Sequence, residues 1–156
     1  MGIAKRVAKA HASVSAKYFK PGQYLVWVER CKEVVNGSGD DVFVAECHVL
    51  ETDSEQRKAG DSCDWVQNFR FKSAPGNVKA LMLALGLDED GAEDPDTLEE
   101  ILGEANAAHG IVLEADCSSI VTKENKKDID IVFFSAVSEE DQKRGVALHE
   151  ELFETA

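Results

Sequence analysis

The sequence predicts an α+β domain, mostly β with helices, on three observations. Five β-prone runs are separated by turn-forming residues, a helical periodicity falls between the third and the fourth, and 44% of the 156 residues are hydrophobic, enough for one core. From Gln23 to Val35 the residues Tyr, Leu, Val, Trp and Val crowd together, and Asn36-Gly-Ser-Gly-Asp40 supplies the chemistry to reverse the chain. Asp41 to Glu51 then alternates, with Phe43, Ala45, Cys47 and Val49 on one side, so the two runs predict a long antiparallel hairpin. A polar loop, Thr52 to Gly60, leads to a third strand over Ser62 to Lys72.

Ala74-Pro75-Gly76-Asn77 punctuates the chain. Val78, Leu81, Met82 and Leu85 then recur at helical spacing up to Gly86, a C-terminal stop. Asp96-Thr97 before Leu98, Ile101 and Leu102 predicts a short second helix with acids at its favoured end. Ile111 to Thr122 and Asp128 to Val137 form a second hairpin about Lys123–Lys127, with Ile129, Ile131 and Phe133 on one side. Ser138-Glu-Glu-Asp opens a segment that is either a terminal helix or a tail. The expected organisation is a basic arm (1–20), a barrel domain (21–137) with an acidic insertion (88–108), and an acidic C-terminal helix or tail (138–156).

The formal charge of −13 argues by itself against a nucleic-acid partner, because phosphates would be repelled. The charges are segregated, however. Residues 1–22 carry five bases and no acid, whereas Asp88 to Glu104 holds nine acids and no base. A local basic face is therefore compatible with the acidic total.

Cys31, Cys47, Cys63 and Cys117 form no Cys-x-x-Cys pair, and each falls in a β-prone run, so reduced, buried thiols are expected. No metal site, cofactor or catalytic centre is expected: His11, His48, His109 and His149 are isolated in sequence, and no phosphate-binding Gly-rich loop or nucleophile elbow is present. No apolar run approaches the roughly 20 residues that span a bilayer, and the first residues lack the apolar stretch of a secretion signal. A soluble, cytoplasmic protein without a membrane partner is the expectation.

Three strands, a helix and two further strands is the chain order of the five-stranded OB-fold barrel, whose strands two and three form the usual binding face. The runs Lys20-Pro-Gly-Gln-Tyr-Leu-Val-Trp-Val, Asn36-Gly-Ser-Gly before Asp41-Val-Phe-Val-Ala-Glu, Gly60-Asp-Ser-Cys-Asp-Trp and Ala80-Leu-Met-Leu-Ala-Leu-Gly resemble bacteriophage single-stranded DNA-binding proteins of the OB type. The resemblance covers residues 20–87, and the remainder only by element order. It implies a protein that coats single strands during phage DNA replication and recombination in the host cytoplasm. It also implies an acidic tail, here Glu150-Glu-Leu-Phe-Glu154, that competes for the groove or recruits replication or recombination proteins through Glu150, Glu151 and Phe153.

Such binding needs flat side chains on which bases stack and cations for the phosphates. On strand one, Trp27 shares a parity with Glu29 and Glu33, suggesting a partly exposed indole, with Arg30 and Lys32 on the other parity unless the strand is bulged. On strand three, Trp65, Phe69 and Phe71 share one parity and Arg70 the other, one face being core; Lys72 ends the run. Tyr18 and Lys20 interleave ring and charge beside the barrel, and Lys123, Lys126 and Lys127 crown the last hairpin. The expected path for a single strand of DNA crosses strands one to three and is closed over by the arm and the lysine loop. Self-association is left open. The alternative is an acidic protein-interaction module or DNA mimic, or a phage accessory protein, that occupies a partner's basic groove without binding nucleic acid.

Overall fold

The β-prone run after Pro21 becomes a 14-residue strand, β1 (Gly22–Val35), in the computed structural model, which describes residues 18–121 and 128–154. It turns into β2 (Asp41–Thr52) through Asn36, whose side-chain carbonyl accepts the N–H groups of Ser38 and Asp40, both at 2.9 Å. The asparagine thus replaces the backbone acceptors that the turn leaves out of reach. With β3 (Ser62–Asn68), β4 (Val112–Val121) and β5 (Asp128–Ala136) the strands form one antiparallel sheet in the order β3-β2-β1-β4-β5. The protein is an α+β domain built on that sheet.

No backbone ladder joins β3 to β5 among the described residues, so the expected closed barrel is not formed by strand pairing. The sheet nevertheless curls until its two edges face each other. Trp65 of β3 meets Phe134 of β5 edge to face, with ring centroids 5.2 Å apart. Phe19 fills the same seam, edge-on to Tyr24 at 5.1 Å and to Phe134 at 6.0 Å. The predicted basic arm therefore ends earlier than residue 20: Phe19 is core, and Tyr18 bridges Asp64 in parallel along the edge of β3. Residues 1–17 of that arm lie outside the described residues.

Alternation sends Val26, Val28, Phe43, Ala45, Cys47, Val49, Trp65, Leu113 and Ala115 to the concave side. One end of this core is covered by α1 (Ala74–Ala84), α2 (Glu89–Glu93) and α3 (Pro95–Leu102), which contribute Leu81, Met82, Ala92 and Ile101. α1 stops at Gly86, whose φ of +106° is a conformation that favours glycine. Two of the acids in the insertion cap helices. Asp88 accepts from the Gly91 N–H at 2.7 Å, and Asp94 accepts from the Asp96 N–H at 3.1 Å and the Thr97 hydroxyl at 2.9 Å.

The C-terminal segment is a helix, α4 (Glu139–His149), prolonged by a π-helical turn, Glu150–Glu154. Ser138 caps it by accepting the Asp141 N–H at 3.1 Å. α4 lies on the convex side of the sheet, where Val137, Leu148 and Phe153 pack on Leu25, Trp27, Leu50 and Val112. Gln142 stitches helix to sheet: its carbonyl accepts the Val112 N–H at 2.8 Å and its amide donates to the Gly110 carbonyl at 2.9 Å. Among the described residues no helix is long and apolar enough to cross a membrane.

All four cysteines are free and buried. Burial in an apolar interior disfavours the thiolate, pushing the thiol pKa up to about 12 for Cys31 and about 11 for Cys117, and well above the ordinary value for Cys47. The folded protein is therefore expected to react with a thiol-specific reagent only slowly, with all four thiols appearing on addition of guanidinium. Stoichiometric labelling within seconds in native buffer would contradict this packing.

Candidate nucleic-acid interface

Strand one carries a β-bulge. Trp27 pairs with His48 and Val28 with Cys47, but Arg30 pairs with Glu46, so Glu29 is the extra residue. The bulge moves Arg30 and Lys32 onto the same convex face as Trp27, reversing the parity that an unbroken strand would give them. The carbonyl of Glu29, released from the ladder, accepts the Asn106 side-chain amide at 3.0 Å and lies 2.9 Å from His109 Nδ1.

The convex face of β1–β3 then combines Arg30 and Lys32 with Glu46 and Asp64. Lys32 is paired with Glu46 at 3.0 Å, leaving Arg30 as an exposed cation opposite the same carboxylate. Burial, then the nearby Glu46, raises the pKa of the Asp64 carboxyl. The face is mixed in sign rather than a basic track.

Both indoles proposed as stacking platforms are buried, each only 7% exposed. Trp65 points to the concave side of the sheet, against Phe43 and Phe134. Trp27 does point to the convex side, as its parity indicates, but α4 covers it and His149 stacks on it with centroids 3.6 Å apart. Neither ring is open to a base in this structure, which corrects the expectation for both residues.

The exposed rings lie elsewhere. β3 stops four residues before its predicted end because Asn68 turns the chain: its side-chain carbonyl accepts the Arg70 N–H at 2.8 Å and its backbone carbonyl the Phe71 N–H at 3.1 Å. Beyond that turn the parity of the strand no longer applies. Phe69 and Phe71 are 44% and 55% exposed, and the guanidinium carbon of Arg70 lies 5.0 Å from the centre of the Phe71 ring. Lys72 is also exposed. Phe69 leans on a small apolar depression of about 170 Å³ that includes Val42, Val78 and Leu98.

A second exposed pair flanks the seam between β3 and β5, where a groove of about 540 Å³ runs past Tyr18, Val66, Asp130 and Phe133. Tyr18 is 55% and Phe133 65% exposed. Lys20 stands beside this groove, 3.9 Å from the Asp130 carboxylate. Phe133 was placed by sequence with Ile129 and Ile131 on one side of a strand. That side is the solvent side, and Val132 and Phe134 face the core. The doubled apolar run Val132-Phe133-Phe134 hides the distinction.

Of the other predicted residues, Lys123, Lys126 and Lys127 lie outside the described residues. Glu150 and Glu151 are exposed on the π-helical turn, but Phe153 is half-buried and stacks on His48 at 4.2 Å, so it is engaged by the protein itself.

Sequence reading missed one constellation. His48 on β2 and His149 at the end of α4, 101 residues apart, bring Nδ1 and Nε2 within 2.8 Å. Their rings are parallel within 2° and are flanked by Trp27 and Phe153. Glu29 Oε2 lies 3.9 Å from His48 Nε2. Burial pushes the imidazolium pKa of His48 down, opposed by Glu29. The alternation of β2, which puts His48 on the solvent side, and the position of His149 at a helix end were the only signals, and neither indicates a partner.

The chain matches no known protein-family model, and no curated protein matches it in sequence.

Proposed function

We propose that this protein binds single-stranded nucleic acid, DNA in the first instance, with little sequence preference. The observation that carries the reading is the Phe69-Arg70-Phe71-Lys72 turn, where two part-exposed rings alternate with two exposed cations and one cation already lies against a ring face. Bases of any identity present a π-face to such a turn, and the cations answer the phosphates. Tyr18 and Phe133 extend the supply of open rings along the seam. Trp27 and Trp65 take no part.

The finer fold reading, an OB barrel, rests on the strand order β3-β2-β1-β4-β5 and on the ring contacts across the β3–β5 gap. Such barrels are partly open, and nucleic-acid binding is a common use of them. On this reading the protein protects exposed strands during phage DNA replication or recombination in the host cytoplasm. Glu150 and Glu151 are the residues that replication or recombination proteins would meet, and self-association along a strand is compatible with the reading.

The test is a fluorescence titration of an oligo-dT strand at low salt. Wild-type protein is expected to bind, Phe71→Ala to lose about 1–3 kcal/mol while remaining folded, and binding to weaken steeply with salt. Unchanged affinity in folded Phe71→Ala removes the stacking turn. A complete lack of binding favours the competing reading, an acidic module for a basic partner, whose support is a surface depression with Glu51, Asp53, Glu114 and Asp116 around it.

A further inference from the structure

The convergence of His48, His149 and Glu29 has no role in strand binding. One potential ligand atom from each of the three falls within 4.8 Å of the other two. They come from three separate elements: Glu29 from the bulge of β1, His48 from β2 and His149 from the last turn of α4. We propose that these three side chains form a binding site for a divalent transition-metal ion of the zinc class, which clasps the C-terminal helix to the sheet.

The chemistry of the donor set supports that class. Two imidazoles and one carboxylate are the ligands that zinc takes when a fourth position is left to water, whereas calcium and magnesium prefer oxygen throughout. The geometry is close to what is needed. Imidazole nitrogens bound to one tetrahedral zinc ion at about 2.0–2.1 Å stand about 3.3 Å apart. His48 Nδ1 is 2.8 Å from His149 Nε2, whereas Glu29 Oε2 approaches the other ring nitrogen, His48 Nε2, at 3.9 Å. With one donor atom of each residue already within 4.8 Å of the others, a small opening of the imidazole pair and a swing of the part-exposed Glu29 carboxylate bring the three to one ion.

The rings are also held in place. His149 stacks on Trp27 at 3.6 Å and His48 on Phe153 at 4.2 Å, so the imidazoles have little freedom left to lose on binding. The bulge aims Glu29 at the pair, and its backbone carbonyl is fixed by the Asn106 amide. Outer-shell fixation of this kind orients metal ligands. The site is partly open, because Glu29 and His48 retain side-chain exposure of 42% and 20%, so an ion has a route in.

Zinc, cobalt(II) and nickel(II) chlorides are titrated into the full-length, metal-free protein. Expected are one bound zinc ion per chain, a raised melting temperature, and quenching of Trp27 fluorescence by nickel. Cobalt is expected to give visible bands of four-coordinate nitrogen and oxygen ligation, without the near-ultraviolet thiolate band. His48→Gln, His149→Gln and Glu29→Gln should each lower affinity by more than about tenfold, the least that losing a supporting group costs such sites. His11→Asn should leave it unchanged. The cobalt spectrum is read on the wild type, so the proposal stays testable if a histidine variant fails to fold. No binding, a thiolate band, or retained affinity in the folded Glu29→Gln and histidine variants would overturn it.

Discussion

Trp65→Ala is expected to destabilise the protein by about 3–5 kcal/mol, the usual consequence of removing a large buried aromatic. The indole is 7% exposed and contacts Phe43 at 5.9 Å and Phe134 at 5.2 Å, both edge to face. Its position makes it more than a filler. Because no ladder connects β3 with β5 among the described residues, the contact between Trp65 and Phe134, with Phe19 beside it, helps to hold the two sheet edges together. Removing the ring leaves a cavity and loosens the seam at once. Domains of this size have only about 5–15 kcal/mol of total stability, so much of the folded margin should go. A urea melt followed by far-UV circular dichroism measures it, with Trp65→Phe expected to retain part of the stability. A Trp65→Ala protein of wild-type stability that had lost affinity for oligo-dT would return the residue to a ligand-binding role.

Gly145→Val should detach the C-terminal helix. A Cβ built at Gly145 comes within 2.6 Å and 2.7 Å of the two Val112 methyl carbons, and Val112 is itself buried in β4. The contact allows no side chain between helix and sheet, even though a residue other than glycine would favour the helix by itself. Overpacking of this kind typically costs about 1–3 kcal/mol, more where the neighbours cannot shift. The strain falls on the element with another option, since α4 can leave the sheet whereas β4 is paired on both sides. Undocking breaks the Gln142 bridge and the Arg144–Glu51 ion pair and uncovers Trp27. The expected readout is a red-shifted tryptophan emission with the β signal largely preserved. In a double-mutant cycle, Val112→Ala should relieve part of the defect. Wild-type emission and melting in Gly145→Val would mean that α4 does not rest on the sheet as described.

The fold was legible where local chemistry decides conformation. The Asn36–Asp40 turn, the Gly86 stop and the Ser138 cap depend on a few adjacent residues, and the sequence reading placed each correctly. The candidate interface was less legible. Parity suggests a partly exposed Trp27, and the indole does point to the convex side, but a helix more than a hundred residues later covers that side and buries it. Arg30 and Lys32 changed sides through one inserted residue at Glu29, and a bulge leaves no fixed mark in composition. Phe69 and Phe71 were read as continuing β3, whereas the Asn68 turn ends the strand and puts both rings outside.

The amino-acid sequence by itself determined the number of the strands and their order along the chain, the Asn36–Asp40 turn and the Ser138 cap, the helix after β3 and the burial of the thiols, because each follows from periodicity or near-neighbour hydrogen bonding. It showed one helix in the acidic insertion where the structure has two, capped by Asp88 and Asp94. Only the tertiary structure decided that the sheet curls without closing, that both indoles are covered, and that His48, His149 and Glu29 meet beneath α4. Those outcomes depend on which distant surfaces exclude water from each other. Hydrophobic packing is non-directional, so a strand's alternation marks an apolar face without naming the element that will cover it.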